Sequence, residues 1–389
     1  MLRISKRLGS ALHAVYLAGF LLNVSYALLL YIQSSYLETF LSGELIGIIY
    51  SLGALACIIG LLFLPSALKR HGQLYLTRGF IALVFASIVG LAFSSTVYFA
   101  AFFFILYFTF ELLLYVALDI YLEHLSSVGE TGNIRGHYLT IVSAAVALTP
   151  FLVGKLVSVV GFKPIFIVSA LFVIPMLFVI TRHVPTIPLK KLRVYSPITG
   201  LRKAWGNRNV LCIVSTYFLL QFFYSWMVIY TPIYLHTVMQ MPWSDIGIVF
   251  TIMLLPFVLF QLPLGKVADK RTGEKEILMT GLVIMACATG ALTFLNGTSV
   301  ALWAVALFLT RTGASFVEIM NETYFFKHVR DTDADVISFY RIMSPLAYIV
   351  GPLVATVLLF LLPMQYLFLI LGCGILLGLY PAYTLEDTL

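Results

Sequence analysis

The segment Trp303–Lys327 reads WAVALFLTRTGASFVEIMNETYFFK. Its first half is apolar enough to sit in lipid, yet Arg311 and Glu318 lie inside the segment. Arg311 and Glu318 are seven residues apart and therefore share one face of a helix. Ser315 and Glu322 continue that face at helical spacing. A charge inside a bilayer is costly, and such residues usually face a bundle interior or a watery cavity. We therefore expect this segment to line a polar path, with the other apolar segments around it.

The rest of the chain has the composition of an integral membrane protein. Of its 389 residues, 61% are hydrophobic and 11% are charged, whereas soluble domains carry about 25% charged residues. A spanning helix needs about 20 mostly apolar residues. Such segments are predicted at 10–33, 43–66, 75–95, 97–123, 137–160, 162–181, 209–237, 243–266, 276–295, 299–326, 335–361 and 363–383. They are too long for the strands of an outer-membrane barrel, so we predict an all-α membrane protein with twelve transmembrane helices.

The net charge of +7 follows the predicted topology. With a cytoplasmic N-terminus, all but three of the 24 lysines and arginines fall in cytoplasmic segments or at their edges. The exceptions are Lys155 and Lys163 near an outer loop, and Arg311 in mid-membrane. This bias is the positive-inside rule, and it predicts a multi-pass protein of the plasma or inner membrane with both termini in the cytoplasm. The basic charge therefore records topology and does not indicate a nucleic-acid partner.

No cofactor or catalytic site is predicted. The four cysteines stand singly in apolar segments, and the seven histidines form no metal-binding pattern. The sequence contains no P-loop, so ATP is not the expected energy source. It also lacks a spacing of serine, histidine and aspartate that would indicate a hydrolase, so the chain is not predicted to be an enzyme.

The two halves of the chain carry similar motifs at an offset of 198 to 202 residues. The matched pairs are Tyr36-Leu37-Glu38-Thr39 with Tyr234-Leu235-His236-Thr237, Ile46-Gly47 with Ile246-Gly247, Lys69-Arg70-His71-Gly72 with Lys270-Arg271-Thr272-Gly273, and Tyr138 and Pro150 with Tyr340 and Pro352. We predict two six-helix bundles, 1–181 and 209–389, joined by a cytoplasmic linker, 182–208. Parallel repeats of this kind are typical of transporters that bind their substrate near mid-membrane between the halves.

The loop Gly265–Lys275, GKVADKRTGEK, resembles the signature loop of the major facilitator superfamily, G-x-x-x-D-[RK]-x-G-x-[RK]. The earlier copy, Leu64–Gly72, lacks the first glycine and the aspartate. The resemblance covers the topology of the whole chain and implies transport by alternating access. It also implies a cytoplasmic gate at the second copy, in which Asp269 would lie near the start of helix five, around Arg135 to Tyr138. The implied gate residues are Gly265, Asp269, Lys270, Arg271, Gly273 and Arg135.

In that family, helices one, four, seven and ten line the central cavity. The resemblance therefore directs attention to polar residues on those four helices. They are Asn23, Tyr26 and Gln33 on helix one, Glu111, Tyr115 and Asp119 on helix four, Gln221 and Tyr224 on helix seven, and Arg311, Ser315 and Glu318 on helix ten.

Glu111 and Arg311 are expected at similar depth, because Thr109 is the repeat counterpart of Arg311. One hypothesis is that the two side chains pair when the site is empty and that substrate or a proton competes for one of them. The alternative is a static ion pair that only fixes helix packing. Glu318 and Asp119 lie nearer the cytoplasmic face, where they could accept protons or anchor a gate.

We therefore predict a secondary transporter that exports a small organic or amphipathic compound in exchange for protons, with Glu111, Glu318 or Asp119 as the carrier. One alternative is proton-coupled uptake of an anionic solute anchored by Arg311. A lipid flippase and a membrane-embedded enzyme are further classes. The expected partners are a small-molecule substrate, protons and the lipid bilayer, and the protein is expected to be monomeric.

Overall fold

The structure is a computed structural model that describes residues 2–125, 138, 146, 149–186, 197–267, 273–329 and 334–386. The chain divides into two compact units, which are described separately. The first consists of Met1–Leu41 and Leu52–Val194, and the second of Ser42–Ser51 and Tyr195–Leu389. The change of unit at Val194 falls within the segment predicted as a linker, and the division into two six-helix bundles stays a prediction.

The described helices up to residue 183 are long and apolar. They are α1 (Leu2–Leu30), α2 (Gln33–Glu38), α3 (Gly43–His71), α4 (Gln73–Phe93), α5 (Val97–Leu125), α6 (Thr149–Val160) and α7 (Phe162–His183). Glycines with positive φ separate consecutive helices at two places, Gly72 (82°) before α4 and Gly161 (74°) before α7. Helix α1 packs on α7, and α4 packs on both α5 and α7.

The second unit has the same helical character. Its helices are α8 (Pro197–Trp205), α9 (Arg208–Ile233), α10 (Trp243–Val267), α11 (Gly273–Ala291), α12 (Val300–His328), α13 (Ala334–Leu359), α14 (Tyr366–Leu376) and α15 (Leu379–Tyr383). A π-helical turn, Tyr234–Val238, extends α9. Helix α12 packs against α10 and α11, α9 against α13, and α11 against α14.

Eleven of the described helical segments are long and apolar enough to cross a membrane. They agree with eleven of the twelve predicted spans to within a few residues. The remaining one, helix five at 137–160, is described at Tyr138, at Val146 and along α6. The twelve-helix count and the cytoplasmic position of both termini stay predictions.

Helix one differs from the predicted continuous span 10–33. Helix α1 ends at Leu30, and the chain turns at Tyr31 and Ile32 before Gln33 starts α2. At the corresponding place in the second unit, the regular helix gives way to the π-helical turn just after Pro232. A proline inside a helix lacks the N–H that would bond to the carbonyl four residues earlier. Pro232 therefore interrupts the turn before it and does not explain the π-helical turn that follows, and no proline stands at the first irregularity.

The internal repeat has a structural counterpart at the ends of these two helices. In the first unit the rings of Tyr36 and Phe166 lie 4.7 Å apart between centroids. In the second unit the rings of Tyr234 and Phe368, displaced by 198 and 202 residues, lie 5.1 Å apart. Gly72 and Gly273 form another matched pair, since φ is positive at both, 82° and 73°. Each unit therefore reproduces the other's contacts at these positions.

Helices α11 and α12 approach each other closely through two glycines. A Cβ atom added to Gly313 would lie 2.7 Å from both the Gly281 carbonyl oxygen and the Met285 Cα atom. Small residues at helix crossings let backbones come together, and van der Waals packing then holds the helices in a membrane. No side chain can be added at Gly313 unless the two backbones separate.

We expect Gly313→Ala to destabilise the protein by about 1–3 kcal/mol, the usual cost of overpacking. A thermal-unfolding scan of the purified protein in detergent measures this as a lower Tm. Gly374→Ala in α14 is the matched control, because a Cβ atom there meets nothing within 4 Å. Equal Tm values for the two variants would contradict the close approach of α11 and α12.

Candidate functional site

The first unit places Glu111 in a cluster of phenol groups on α5. Its side chain is 6% exposed, and Oε1 has no hydrogen-bond partner among the described residues. Tyr107, one turn earlier, and Tyr115, one turn later, are its electrostatic neighbours. Tyr107 lies beside the carboxyl group, yet its hydroxyl makes no bond of acceptable geometry with the described residues. Glu111 is therefore a buried carboxyl group surrounded by neutral hydroxyls.

Helix α1 adds the predicted amide to this cluster. The Tyr115 hydroxyl donates to Asn23 Oδ1 at 2.9 Å, and Asn23 Nδ2 donates to the Gly19 carbonyl at 2.8 Å. The rings of Tyr26 and Tyr115 meet edge to face, with centroids 6.2 Å apart. Gln33, at the start of α2, is 5% exposed and lies near Tyr107. The structure thus brings Asn23, Tyr26, Gln33, Glu111 and Tyr115 together in one unit.

The other residues of this stripe extend it along α5 in both directions. Asp119, two turns after Glu111, lies near Tyr138. Tyr107 was not among the predicted site residues. The signal for it was present, because Tyr107, Glu111, Tyr115 and Asp119 follow one another at intervals of four residues.

The second unit places Arg311 against two aromatic rings. Its side chain is 1% exposed, and Cζ lies 5.0 Å from the centroid of Phe223 and 5.3 Å from that of Tyr224. These distances are typical of cation–π contacts. Nε and Nη1 have no hydrogen-bond partner within the described part of the chain. The guanidinium group therefore keeps two donors available while its face is covered.

Glu318 joins the same cluster through Tyr224. Glu318 Oε2 accepts a hydrogen bond of 2.7 Å from the Tyr224 hydroxyl. Glu318 also interacts electrostatically with Arg311 and with Glu322. Tyr224 thus touches both charged residues, since its ring contacts Arg311 and its hydroxyl holds Glu318. The predicted stripe on helix ten and the predicted tyrosine on helix seven form one cluster.

Two other predicted residues of the second unit have partners of a different kind. Gln221 Oε1 accepts from the Ser344 hydroxyl of α13 at 2.8 Å. The Ser315 hydroxyl donates to the Thr312 carbonyl of its own helix at 2.9 Å, and the residue is fully buried. Gln221 therefore joins two helices, whereas the Ser315 hydroxyl is used within α12.

A buried polar pair between α9 and α12 was missed from the sequence. Asn321 is fully buried, and its Oδ1 accepts from the Thr216 hydroxyl at 2.6 Å. Its Nδ2 donates to the Val317 carbonyl at 2.9 Å. An asparagine in an apolar helix is a signal of this kind, since buried amides require partners, but the partner on another helix cannot be read from the sequence.

The predicted gate is described only at its edges. Gly265 lies in the last turn of α10, and Gly273 begins α11 with φ 73°. Asp269, Lys270, Arg271 and Arg135 lie outside the described residues. Next to Gly273, the carboxylate of Glu274 is 1% exposed and pairs with Lys327 at the end of α12. This pair fixes the start of α11 to α12, and the role of the loop as a gate stays a prediction.

Among the described residues, the predicted polar side chains thus form a cluster in each unit. The first is built around Glu111 and the second around Arg311 and Glu318. The predicted pairing of Glu111 with Arg311 would join the two units, and it stays a prediction.

Comparison with known proteins gives a family and a fold. A sequence profile of the Major Facilitator Superfamily matches residues 13–335 and 244–388. A search of curated proteins finds no match. The solved structure of the nucleoside transporter NupG is 14% identical, with a TM-score of 0.78, and the match covers 97% of this chain and 100% of NupG. The human organic anion transporter MFSD10 (TETRAN) is 18% identical, with a TM-score of 0.68 and coverage of 96% and 99%.

Proposed function

Because this chain belongs to the major facilitator superfamily, and is therefore a membrane transporter of small molecules rather than an enzyme, we propose that it exports an organic or amphipathic compound in exchange for protons. We propose twelve spans with both termini in the cytoplasm, in the plasma or inner membrane, and a monomeric protein. Alternating access, with a gate at Gly265–Lys275, is the proposed mechanism.

The burial of Glu111 is the observation on which the proposed proton coupling rests. A carboxylate removed from water is costly unless a cation or several donors compensate it. The neighbours of Glu111 are phenol hydroxyls, which provide a polar but uncharged environment. The carboxyl group can hold a proton there and release it when water reaches it, as intramembrane acidic residues in proton relays do.

The substrate class is proposed from the side chains around the two clusters. In the first unit they are tyrosines with one or two amides, and in the second they are Phe223, Tyr224 and Gln221. Apolar and aromatic walls with a few polar groups are typical of pockets for organic ligands. The solved neighbours are too distant in sequence to assign a substrate, but nucleosides and organic anions belong in the first set of compounds tested.

The test begins with a thermal-shift screen of the purified protein against organic compounds at two pH values, since a ligand that binds the folded state raises Tm. Compounds that raise Tm are then assayed in proteoliposomes that contain a fluorescent pH indicator. We expect substrate and protons to move in opposite directions, and an imposed pH gradient to drive accumulation of substrate. Transport without any proton movement would contradict this proposal and favour a flippase or a facilitator.

Arg311 supports a second candidate function, the proton-coupled uptake of an anionic solute. Among the described residues, its Nε and Nη1 have no hydrogen-bond acceptor, and the group is buried and permanently charged. Guanidinium groups bind carboxylates and phosphates through two parallel hydrogen bonds. The same vesicle assay separates the two candidates. In uptake, protons and an anionic substrate enter together, so the internal pH falls as substrate accumulates.

A further inference from the structure

Helix α8 presents exposed apolar and basic side chains within the segment predicted as a polar linker. Ile198, Leu201 and Trp205 are 67%, 40% and 74% exposed. They are spaced at i, i+3 and i+7 and therefore form one stripe along the helix. Packing against the described residues does not account for three large apolar groups on one face of this nine-residue helix.

The opposite side of α8 is fixed to α13. Gly200 and Ala204, four residues apart, are buried. A Cβ atom on Gly200 would meet the backbone of Asp335, so the two helices are in close contact. Lys203 Nζ also pairs with Asp335 Oδ2 at 2.9 Å. The orientation of the apolar stripe is therefore set by contacts on the other side of the helix.

Basic residues accompany the stripe. Arg202 follows Leu201 on the edge of the stripe, and Arg208 is exposed at the start of α9. Lys190, Lys191 and Arg193 precede the helix in sequence. Basic amphipathic helices lie in the membrane interface, with apolar side chains among the acyl chains and basic ones at anionic headgroups.

The position of α8 in the chain keeps it beside the bilayer. Only Gly206 and Asn207 separate it from the membrane-crossing helix α9, and the Asn207 side chain caps that helix by accepting from the Val210 N–H at 3.2 Å. The apolar stripe therefore ends only a few residues before a spanning segment begins.

We propose that α8 is an interfacial helix that inserts Ile198, Leu201 and Trp205 into the bilayer and binds anionic phospholipid headgroups through Arg202 and Arg208. In this proposal the exposed face of α8 contacts the lipid bilayer and not another protein. This inference is independent of the transported substrate and of the coupling ion.

Trp205 provides the measurement, because the other three tryptophans, Trp226, Trp243 and Trp303, are at most 7% exposed. The full-length protein and Trp205→Phe are reconstituted in phosphatidylcholine vesicles with and without phosphatidylglycerol, and the difference in their emission reports Trp205. We expect phosphatidylcholine brominated near the top of its acyl chains to quench this difference signal and aqueous iodide to leave it unquenched. Quenching by iodide alone would overturn the proposal, and so would protection from both quenchers, which would indicate coverage by protein.

The headgroup contact is tested with Arg202→Gln and Arg208→Gln, both made in the wild-type and the Trp205→Phe background. Each lost arginine is expected to weaken association with an anionic surface by roughly fivefold, so more phosphatidylglycerol is needed for the same quenching by brominated lipid. Lys163→Gln, at an exposed lysine in the first unit, is the control and should behave as wild type. A response that is independent of phosphatidylglycerol in every variant would overturn the role of the headgroups.

Discussion

Replacing Glu111 by glutamine is expected to abolish the response of transport to a pH gradient while substrate still crosses the membrane downhill. Glutamine retains the size and much of the polarity of the side chain but cannot carry a proton. A gradient of two pH units can sustain about a hundredfold accumulation when one proton is exchanged for each substrate, since each unit is worth a factor of ten. In Glu111→Gln we expect no accumulation beyond equilibrium, measured as labelled substrate in proteoliposomes.

Matched variants distinguish the loss of a proton carrier from general damage. Glu111→Asp retains an ionisable group and should retain coupling. Glu276→Gln removes an exposed carboxylate at the start of α11 and should have no effect. Asp119→Asn and Glu318→Gln test the other predicted carriers. Coupling that persists in all three amide variants, at positions 111, 119 and 318, would rule out the proposed proton exchange.

Replacing Arg311 by lysine is expected to weaken binding of an anionic substrate by roughly ten- to a hundredfold, the range for losing a hydrogen bond to a charged group. Lysine keeps the charge but replaces a planar fork with a point charge, and it also loses the flat contact with Phe223 and Tyr224. Isothermal titration of purified protein with the compounds found in the thermal-shift screen measures the change.

Arg341→Lys is the control for this second prediction, because Arg341 is an exposed arginine in the same unit. It should bind the same compounds with wild-type affinity. If Arg311→Lys also binds every anionic compound with unchanged affinity, the uptake of an anion anchored at Arg311 is ruled out. A neutral or amphipathic substrate that still binds this variant would favour the export proposal.

Much of the fold could be predicted from the sequence because a spanning helix forms its backbone hydrogen bonds within itself. Apolar length therefore identifies a span without knowledge of its neighbours. Irregularities within a span are harder to predict. The break after Leu30 has no proline beside it, and Pro232, although it stands just before the π-helical turn at Tyr234, affects the turn that precedes it.

The polar clusters were predictable only in part. Glu111 and Arg311 stand out because a charged side chain within an apolar segment is costly in a membrane and usually has a functional role. Tyr107 does not, since the chain contains 22 tyrosines and 31 phenylalanines, and one more aromatic residue carries little information. The bond between Thr216 and Asn321 connects residues 105 positions apart, and no local pattern contains such a partner.

The close approach of Gly281 and Gly313 has a consequence for how the second unit can change shape. Interlocked backbones cannot slide along each other without first separating, so α11 and α12 are expected to move as one rigid body. A hinge of the second unit is then expected outside this pair of helices, for example where the regular helix gives way to the π-helical turn at the end of α9.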